Sequence, residues 1–68
     1  MLGNDQRYLA EIASALEKTA RTDFGVSFVQ RHLHLGFGFA VRLVERLEAD
    51  GYIERSGDDL PRVYVLKD

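Results

Sequence analysis

The amino-acid sequence predicts a small α+β domain in which three helices are followed by a C-terminal β-hairpin. Through residues 5–50, apolar residues recur every three or four positions, which is typical of amphipathic helices. After Gly51 the apolar residues alternate instead, and β-branched and aromatic residues become frequent, as in strands. The 68 residues suffice for one modest core, so residues 1–68 are predicted to form a single domain.

The first helix is predicted over residues 5–20. Asn4 and Asp5 are both suitable N-caps, because their side chains accept hydrogen bonds from N–H groups of the first helical turn. Apolar residues at spacings of three and four form one stripe, made of Tyr8, Leu9, Ile12, Ala13, Leu16 and Ala20. The other side of this helix is mostly polar and is expected to face solvent.

A short connector leads to a second helix, predicted over residues 27–34. In the connector, Phe24 and Val26 are expected to enter the core, and the segment can form an edge strand of one or two residues. Ser27 is a suitable N-cap, and Gln30 three residues later completes a capping-box pattern. Three side chains near the end of this helix are expected to point outward: Arg31, His32 and His34.

The third helix is predicted over residues 37–50, after a tight turn at Leu35-Gly36. Its buried stripe is predicted to consist of Phe37, Ala40, Leu43, Val44 and Leu47. Ala40 is small, so it allows the second and third helices to approach closely. Gly51 is expected to adopt the left-handed conformation with which many helices end.

Residues 52–66 are predicted to form a β-hairpin, which we call the wing. Arg55 and Arg62 flank a polar turn that carries Asp58 and Asp59, and they are expected to neutralise these acids across the hairpin. Three helices followed by a hairpin form the winged helix-turn-helix arrangement. In that arrangement the third helix commonly enters the DNA major groove.

Composition excludes several classes of protein. Cysteine is absent, which fits a reducing compartment, and no apolar run is long enough to span a bilayer. A cytoplasmic protein with no membrane contact is therefore expected. No pattern of catalytic side chains is present, so we predict no enzymatic activity and no cofactor. His32 and His34 are too few ligands for a metal site, and none is predicted.

The charge distribution is uneven. Net charge is −2, from nine basic and eleven acidic residues, whereas a dedicated DNA-binding protein is usually basic. Between Arg31 and Arg46, however, there are three arginines, two histidines and one acid, Glu45. This segment of an overall acidic chain therefore has an excess of positive charge.

From about Val26 to Leu66 the sequence resembles the gamma domain of the FtsK/SpoIIIE DNA translocases. The matching pieces are Ser27-Phe28-Val29-Gln30-Arg31-His32-Leu33, Leu35-Gly36, Ala40-Val41-Arg42-Leu43-Val44 and Leu47-Glu48-Ala49-Asp50-Gly51. The resemblance implies a winged helix that reads short G-rich sequences, which orient the translocase on the chromosome. No phosphate-binding loop of a motor occurs in these 68 residues, so a stand-alone domain is expected.

One segment departs from the family pattern. After the turn glycine the family typically has an aromatic residue, Asn, Arg and Ala, whereas this chain has Phe37, Gly38, Phe39 and Ala40. Asn and Arg are well suited to bidentate hydrogen bonds with base edges, each worth about 1–3 kcal/mol of discrimination. Their replacement by Gly38 and Phe39 is expected to remove most sequence reading and to leave the fold intact.

These observations lead to two hypotheses about function. The first is a small DNA-binding regulator from a bacterium or a mobile element, which binds double-stranded DNA through residues 37–50. Arg31, Arg42 and Arg46 would contact phosphates or guanines. A solvated ion pair of Arg42 with Glu45 or Glu48 is the alternative.

The second function is protein binding on a winged-helix scaffold, as in a phage-encoded inhibitor such as an anti-CRISPR-like protein, or in an adaptor. Phe39, at helical spacing from Arg42 and Arg46, would then be the anchor, since exposed aromatic residues and arginines are enriched in binding hot spots. The alternatives are a plain surface phenylalanine, a phenylalanine covered by the wing, and a ring that wedges or stacks against bases. The sequence also leaves a homodimer open.

Overall fold

Six elements follow one another in the computed structural model, which describes residues 2–57 and 62–67. They are α1 (Leu2–Lys18), β1 (Asp23–Phe24), α2 (Val26–Leu33), α3 (Phe37–Ala49), β2 (Ile53–Arg55) and β3 (Tyr64–Leu66). Within the described residues there are thus three helices and one three-stranded antiparallel sheet. This confirms the predicted α+β winged-helix fold. None of the helices in the described ranges is long and apolar enough to cross a membrane.

Helix α1 differs from the prediction at both ends. It begins at Leu2 rather than residue 5, so Asn4 and Asp5 both lie inside the helix and neither is its N-cap. It ends at Lys18, and Ala20 takes a left-handed conformation with φ of 56°. The Arg21 N–H then donates to the Leu16 carbonyl at 2.9 Å, which closes the end of the helix and turns the chain toward β1.

The predicted cap of α2 is wrong. Gly25 occupies the N-cap position in an extended conformation, no side chain caps the helix, and Ser27 lies within the first turn. The capping box of Ser27 with Gln30 therefore does not form. The physical reason is burial, because Val26 packs against the core as the first helical residue and so moves the helix start toward the N-terminus.

The turn between α2 and α3 depends on His34 rather than on a glycine. His34 is left-handed, with φ of 57°, and its backbone N–H donates to the Gln30 carbonyl. Gly36 is extended and is the N-cap of α3. Histidine is one of the non-glycine residues that enter the left-handed region more readily than most, which makes this turn feasible.

Helix α3 has the predicted buried stripe, with one exception. Ala40, Leu43, Val44 and Leu47 are buried, but Phe37 is 61% exposed and does not belong to the core. Phe37 is the first residue of the helix, where the chain has only just left the turn. At the other end Gly51 is left-handed as predicted, with φ of 85°.

The sheet places β3 between β1 and β2, and both pairings are antiparallel. The pairing of β2 with β3 is the predicted hairpin, in which Arg55 lies opposite Tyr64. The pairing of β1 with β3 places Phe24 opposite Tyr64, which confirms a two-residue edge strand at Phe24. Val26 is not part of it. The predicted acidic turn with Asp58 and Asp59 lies outside the described residues.

The buried side chains form one cluster to which all three helices and all three strands contribute. Its members are Ile12, Ala15, Leu16, Phe24, Phe28, Val29, Leu33, Ala40, Leu43, Val44, Leu47, Ile53 and Tyr64. Ala40 is completely buried, as expected for a residue at which two helices approach closely.

Candidate nucleic-acid interface

The face of α3 that points away from the core carries few side chains able to read bases. Gly38, Arg42 and Glu45 are exposed on it, whereas Leu43 and Val44 lie on the opposite, buried side. Gly38 has no side chain, and a Cβ atom placed there would meet no atom within 4 Å. The first turn of α3 therefore presents an open surface.

Beside this face is a groove of about 550 Å³ between α2, α3 and the chain that leads into β3. Its apolar lining includes Phe37 and Val41 of α3. Three arginines from separate segments also line it: Arg21, Arg31 and Arg62. We call it the arginine groove. Glu45 is the one acidic residue among the described residues that line it.

The three arginines differ in how firmly they are held. The guanidinium of Arg21 lies 5.5 Å from the centre of the Phe28 ring and 3.4 Å from a carboxylate oxygen of Asp23. Arg31 and Arg62 are exposed, and neither forms a salt bridge within residues 2–57 and 62–67. Two exposed cations that line a partly apolar groove suit an anionic ligand.

Arg46, predicted to contact DNA, is instead bound to α1. Its Nη2 donates to Oδ1 of Asp5 at 2.7 Å, and its Nε donates to Oδ2 at 3.1 Å. Asp5 is only 5% exposed. The hydrogen bonds from Arg46 lower the pKa of Asp5 against the opposing effect of burial, and those same bonds raise the pKa of Arg46.

Phe39 also faces α1. Its ring meets the Tyr8 ring edge-on, with the ring centres 5.8 Å apart, and 47% of the residue remains exposed. The predicted surface of Phe39, Arg42 and Arg46 is therefore divided. Phe39 and Arg46 contact α1, while Arg42 is exposed and forms no salt bridge among the described residues.

Neither acid predicted as a partner of Arg42 forms a salt bridge with it among the described residues. Glu48 approaches Arg55 of the wing, with 3.9 Å between a carboxylate oxygen and Nη2, and Glu45 lines the arginine groove. Arg55 therefore lies against α3, whereas Arg62, the other predicted wing residue, lines the groove. The predicted neutralisation of Asp58 and Asp59 by Arg55 and Arg62 falls outside the described residues.

The two histidines have separate environments. The ring of His32 lies against the Phe28 ring, with 4.2 Å between centres, and His34 forms the turn between α2 and α3. Both are exposed. Within the described ranges there is no group of three or more His, Cys, Asp or Glu side chains that could hold a metal ion.

The structure thus brings together two predicted site residues, Arg31 and Arg62, with two that the sequence reasoning missed, Arg21 and Phe37. The partnership of Asp5 with Arg46 was missed as well. Asp5 precedes Tyr8, Leu9 and Ile12 by three, four and seven residues, so the spacing already placed this carboxylate on the buried stripe.

Comparison with curated proteins and with solved structures finds no match to the chain. A protein-family model described as "Ftsk gamma domain" matches residues 5–66. The match extends beyond the resemblance seen from residue 26 onward and includes most of α1. Together with three helices and a three-stranded sheet, it shows that the chain belongs to the FtsK gamma domain family of DNA-binding winged helices.

Proposed function

We propose that this chain is a non-enzymatic regulator that binds double-stranded DNA, with α3 as the recognition helix. The observation that carries the proposal is the arginine groove beside the exposed face of α3. Arg31 and Arg62 are exposed at the groove, and Arg42 is exposed on the neighbouring face of the helix. A duplex lying on this surface would place its phosphates within reach of arginines from two sides. The proposal implies a cytoplasmic location.

Phosphate contacts would supply most of the affinity. Gly38 has no side chain, Phe39 packs on Tyr8, and Arg46 is bound to Asp5, so three positions of α3 contribute little to the reading of base edges by hydrogen bonds. Binding that rests on phosphates depends steeply on salt, because each contact releases condensed cations from the DNA. We expect weak discrimination among G-rich sequences for the same reason.

A salt titration with a labelled random-sequence duplex tests this proposal. Affinity should fall steeply between about 50 and 200 mM salt. In a plot of the logarithm of the binding constant against the logarithm of the salt concentration, the slope is negative, and it should become less steep by about 0.9 for each phosphate contact removed. Arg31→Gln and Arg42→Gln should each cause that decrease. Lys67→Gln is the matched control, since Lys67 is exposed beside Gln6 and Tyr52, outside the groove. Absence of binding at about 50 mM salt would refute the proposal.

The second candidate is protein binding with Phe39 as the anchor. Its support is that nearly half of Phe39 (47%) remains exposed, three residues before the exposed Arg42. Its weakness is that the Phe39 ring already packs on Tyr8. In a pull-down from host lysate, Phe39→Ala should lose a partner that Lys67→Gln retains, and retention of every partner would contradict this candidate. A homodimer is tested separately by sedimentation velocity.

A further inference from the structure

We propose that Phe37 contacts the 5-methyl group of thymine in the major groove, so that the chain favours thymine-containing DNA. The inference rests on the proposed binding of duplex DNA by α3. It adds a base preference that arises from apolar contact rather than from hydrogen bonds. Phe37 is the first residue of α3 and also lines the arginine groove.

Recognition helices of helix-turn-helix domains present their N-terminal residues to the base edges. The first three residues of α3 are Phe37, Gly38 and Phe39. Gly38 has no side chain, and the Phe39 ring is turned toward Tyr8. Phe37 is 61% exposed against 47% for Phe39, so its ring is the more accessible of the two to a bound duplex.

The chemistry of the Phe37 ring limits what it can recognise. A phenyl ring neither donates to nor accepts from the polar atoms of a base edge. The apolar group that the major groove offers is the 5-methyl of thymine. Val41, four residues further along the helix, lines the same groove, and the two side chains form a short apolar strip.

Two further features support close approach of the DNA to this strip. At Gly38 an added Cβ atom would have open space around it, so no protein atom separates the helix backbone from a ligand there. Arg31 and Arg62 line the groove with Phe37, where they can hold phosphates while the ring meets a base edge. The apolar contact and the phosphate contacts thus belong to one surface.

A substitution of uracil for thymine tests the inference, because it removes the methyl group and keeps the base pairing. The probes are two short DNA duplexes, one of alternating dA and dT and the other of alternating dA and dU. Their binding is compared at one low salt concentration. The wild-type chain should bind the thymine duplex about fourfold more tightly, which corresponds to the burial of about one methyl group. Phe37→Ala should bring this ratio close to one.

Phe39→Ala is the matched control, since it removes the other exposed phenylalanine ring of the same turn and should keep the thymine preference. Circular dichroism of each variant checks the fold, and Phe37→Gln provides a second replacement at the exposed position. Any difference in shape between the two duplexes remains when Phe37 is replaced. The change in the ratio on replacement therefore isolates the contact of the ring with the methyl group.

The outcomes separate this inference from the proposed function. Equal, salt-sensitive binding of the two duplexes by the wild type would overturn the thymine contact and leave DNA binding in place. If Phe37→Ala weakens binding to both duplexes by the same factor, the ring acts as a general wedge, and the thymine contact is wrong. Failure of the wild type to bind either duplex would overturn DNA binding itself, and with it this inference.

Discussion

At the scale of single residues, the ion pair of Asp5 with Arg46 shows how a charged side chain becomes structural. Both carboxylate oxygens accept hydrogen bonds from the guanidinium, in the bidentate geometry that arginine favours. Asp5 is buried, whereas the Arg46 side chain is 55% exposed. The partly open guanidinium neutralises a carboxylate that would otherwise be costly to bury. Arg46 therefore serves the docking of α1 on α3.

We predict that this pair makes folding stability depend on pH in the acid range. The folded state lowers the pKa of Asp5 below its unfolded value of about 3.9. The stabilising contribution is therefore fully present above the unfolded pKa, and it is lost as pH falls through the lowered folded-state pKa. Asp5→Asn should reduce the free energy of unfolding at neutral pH and have little effect below both pKa values. Urea unfolding, monitored by circular dichroism, measures the free energy of unfolding of the wild type and the variant at neutral pH and at acid pH.

Asp23→Asn is the control for this prediction. The carboxylate of Asp23 is half exposed and lies 3.4 Å from Arg21, so its pair should contribute about 0–1 kcal/mol. If Asp5→Asn and Asp23→Asn show the same pH profile, the Asp5 pair has no special role in stability.

At the scale of the element, α3 combines a tightly packed side with a nearly bare one. Ala40 and Leu43 are completely buried on one side, and on the other Gly38 has open space around it. The end of the helix needs a glycine, since Gly51 is left-handed, whereas Gly38 is an ordinary helical residue with no such need. The two glycines should thus respond oppositely to the same substitution.

We predict that Gly38→Ala stabilises the domain and Gly51→Ala destabilises it. Alanine in a helix is favoured over glycine by up to about 1 kcal/mol, and nothing near Gly38 would clash with the added methyl group. At Gly51, with φ of 85°, a Cβ atom costs about 1–2 kcal/mol. Thermal and urea unfolding of each variant show whether its stability rises or falls relative to the wild type. Destabilisation by Gly38→Ala would show that this surface is not as open as described.

At the scale of the whole molecule, one small core connects α3 and the arginine groove to the rest of the fold. Strand β3 lies between the other two strands, and its Tyr64 packs on Phe24, with ring centres 6.1 Å apart. Leu43 reaches the same cluster from α3. Because a chain of this size has only about 3–10 kcal/mol of stability, a loss in the core affects the whole domain, including the arginine groove.

We predict that Leu43→Ala lowers the free energy of unfolding by about 2–5 kcal/mol, through lost burial and the cavity left behind. Leu43 is completely buried, so the surrounding side chains can relax only partly. The measurement is urea unfolding at neutral pH. Ser14→Ala on the exposed side of α1 should change stability by less than about 0.5 kcal/mol. An equal change in the free energy of unfolding for the two variants would contradict the placement of Leu43 in the core.

Local sequence patterns were enough to predict the order of the elements, most of the buried stripe of α3 and the left-handed Gly51. These features follow from local periodicity and from the conformational preferences of single residues, which a short stretch of chain contains in full. The tertiary structure decided which side chains are free to bind. Arg46 is held by Asp5, and Phe39 packs on Tyr8, because α1 lies against α3. Phe37, expected inside, is exposed beside arginines from distant segments. Contacts between residues far apart in the chain decide which side chains remain accessible to a ligand. Local spacing placed Asp5 on the buried stripe, but it did not identify Arg46 as the partner of Asp5.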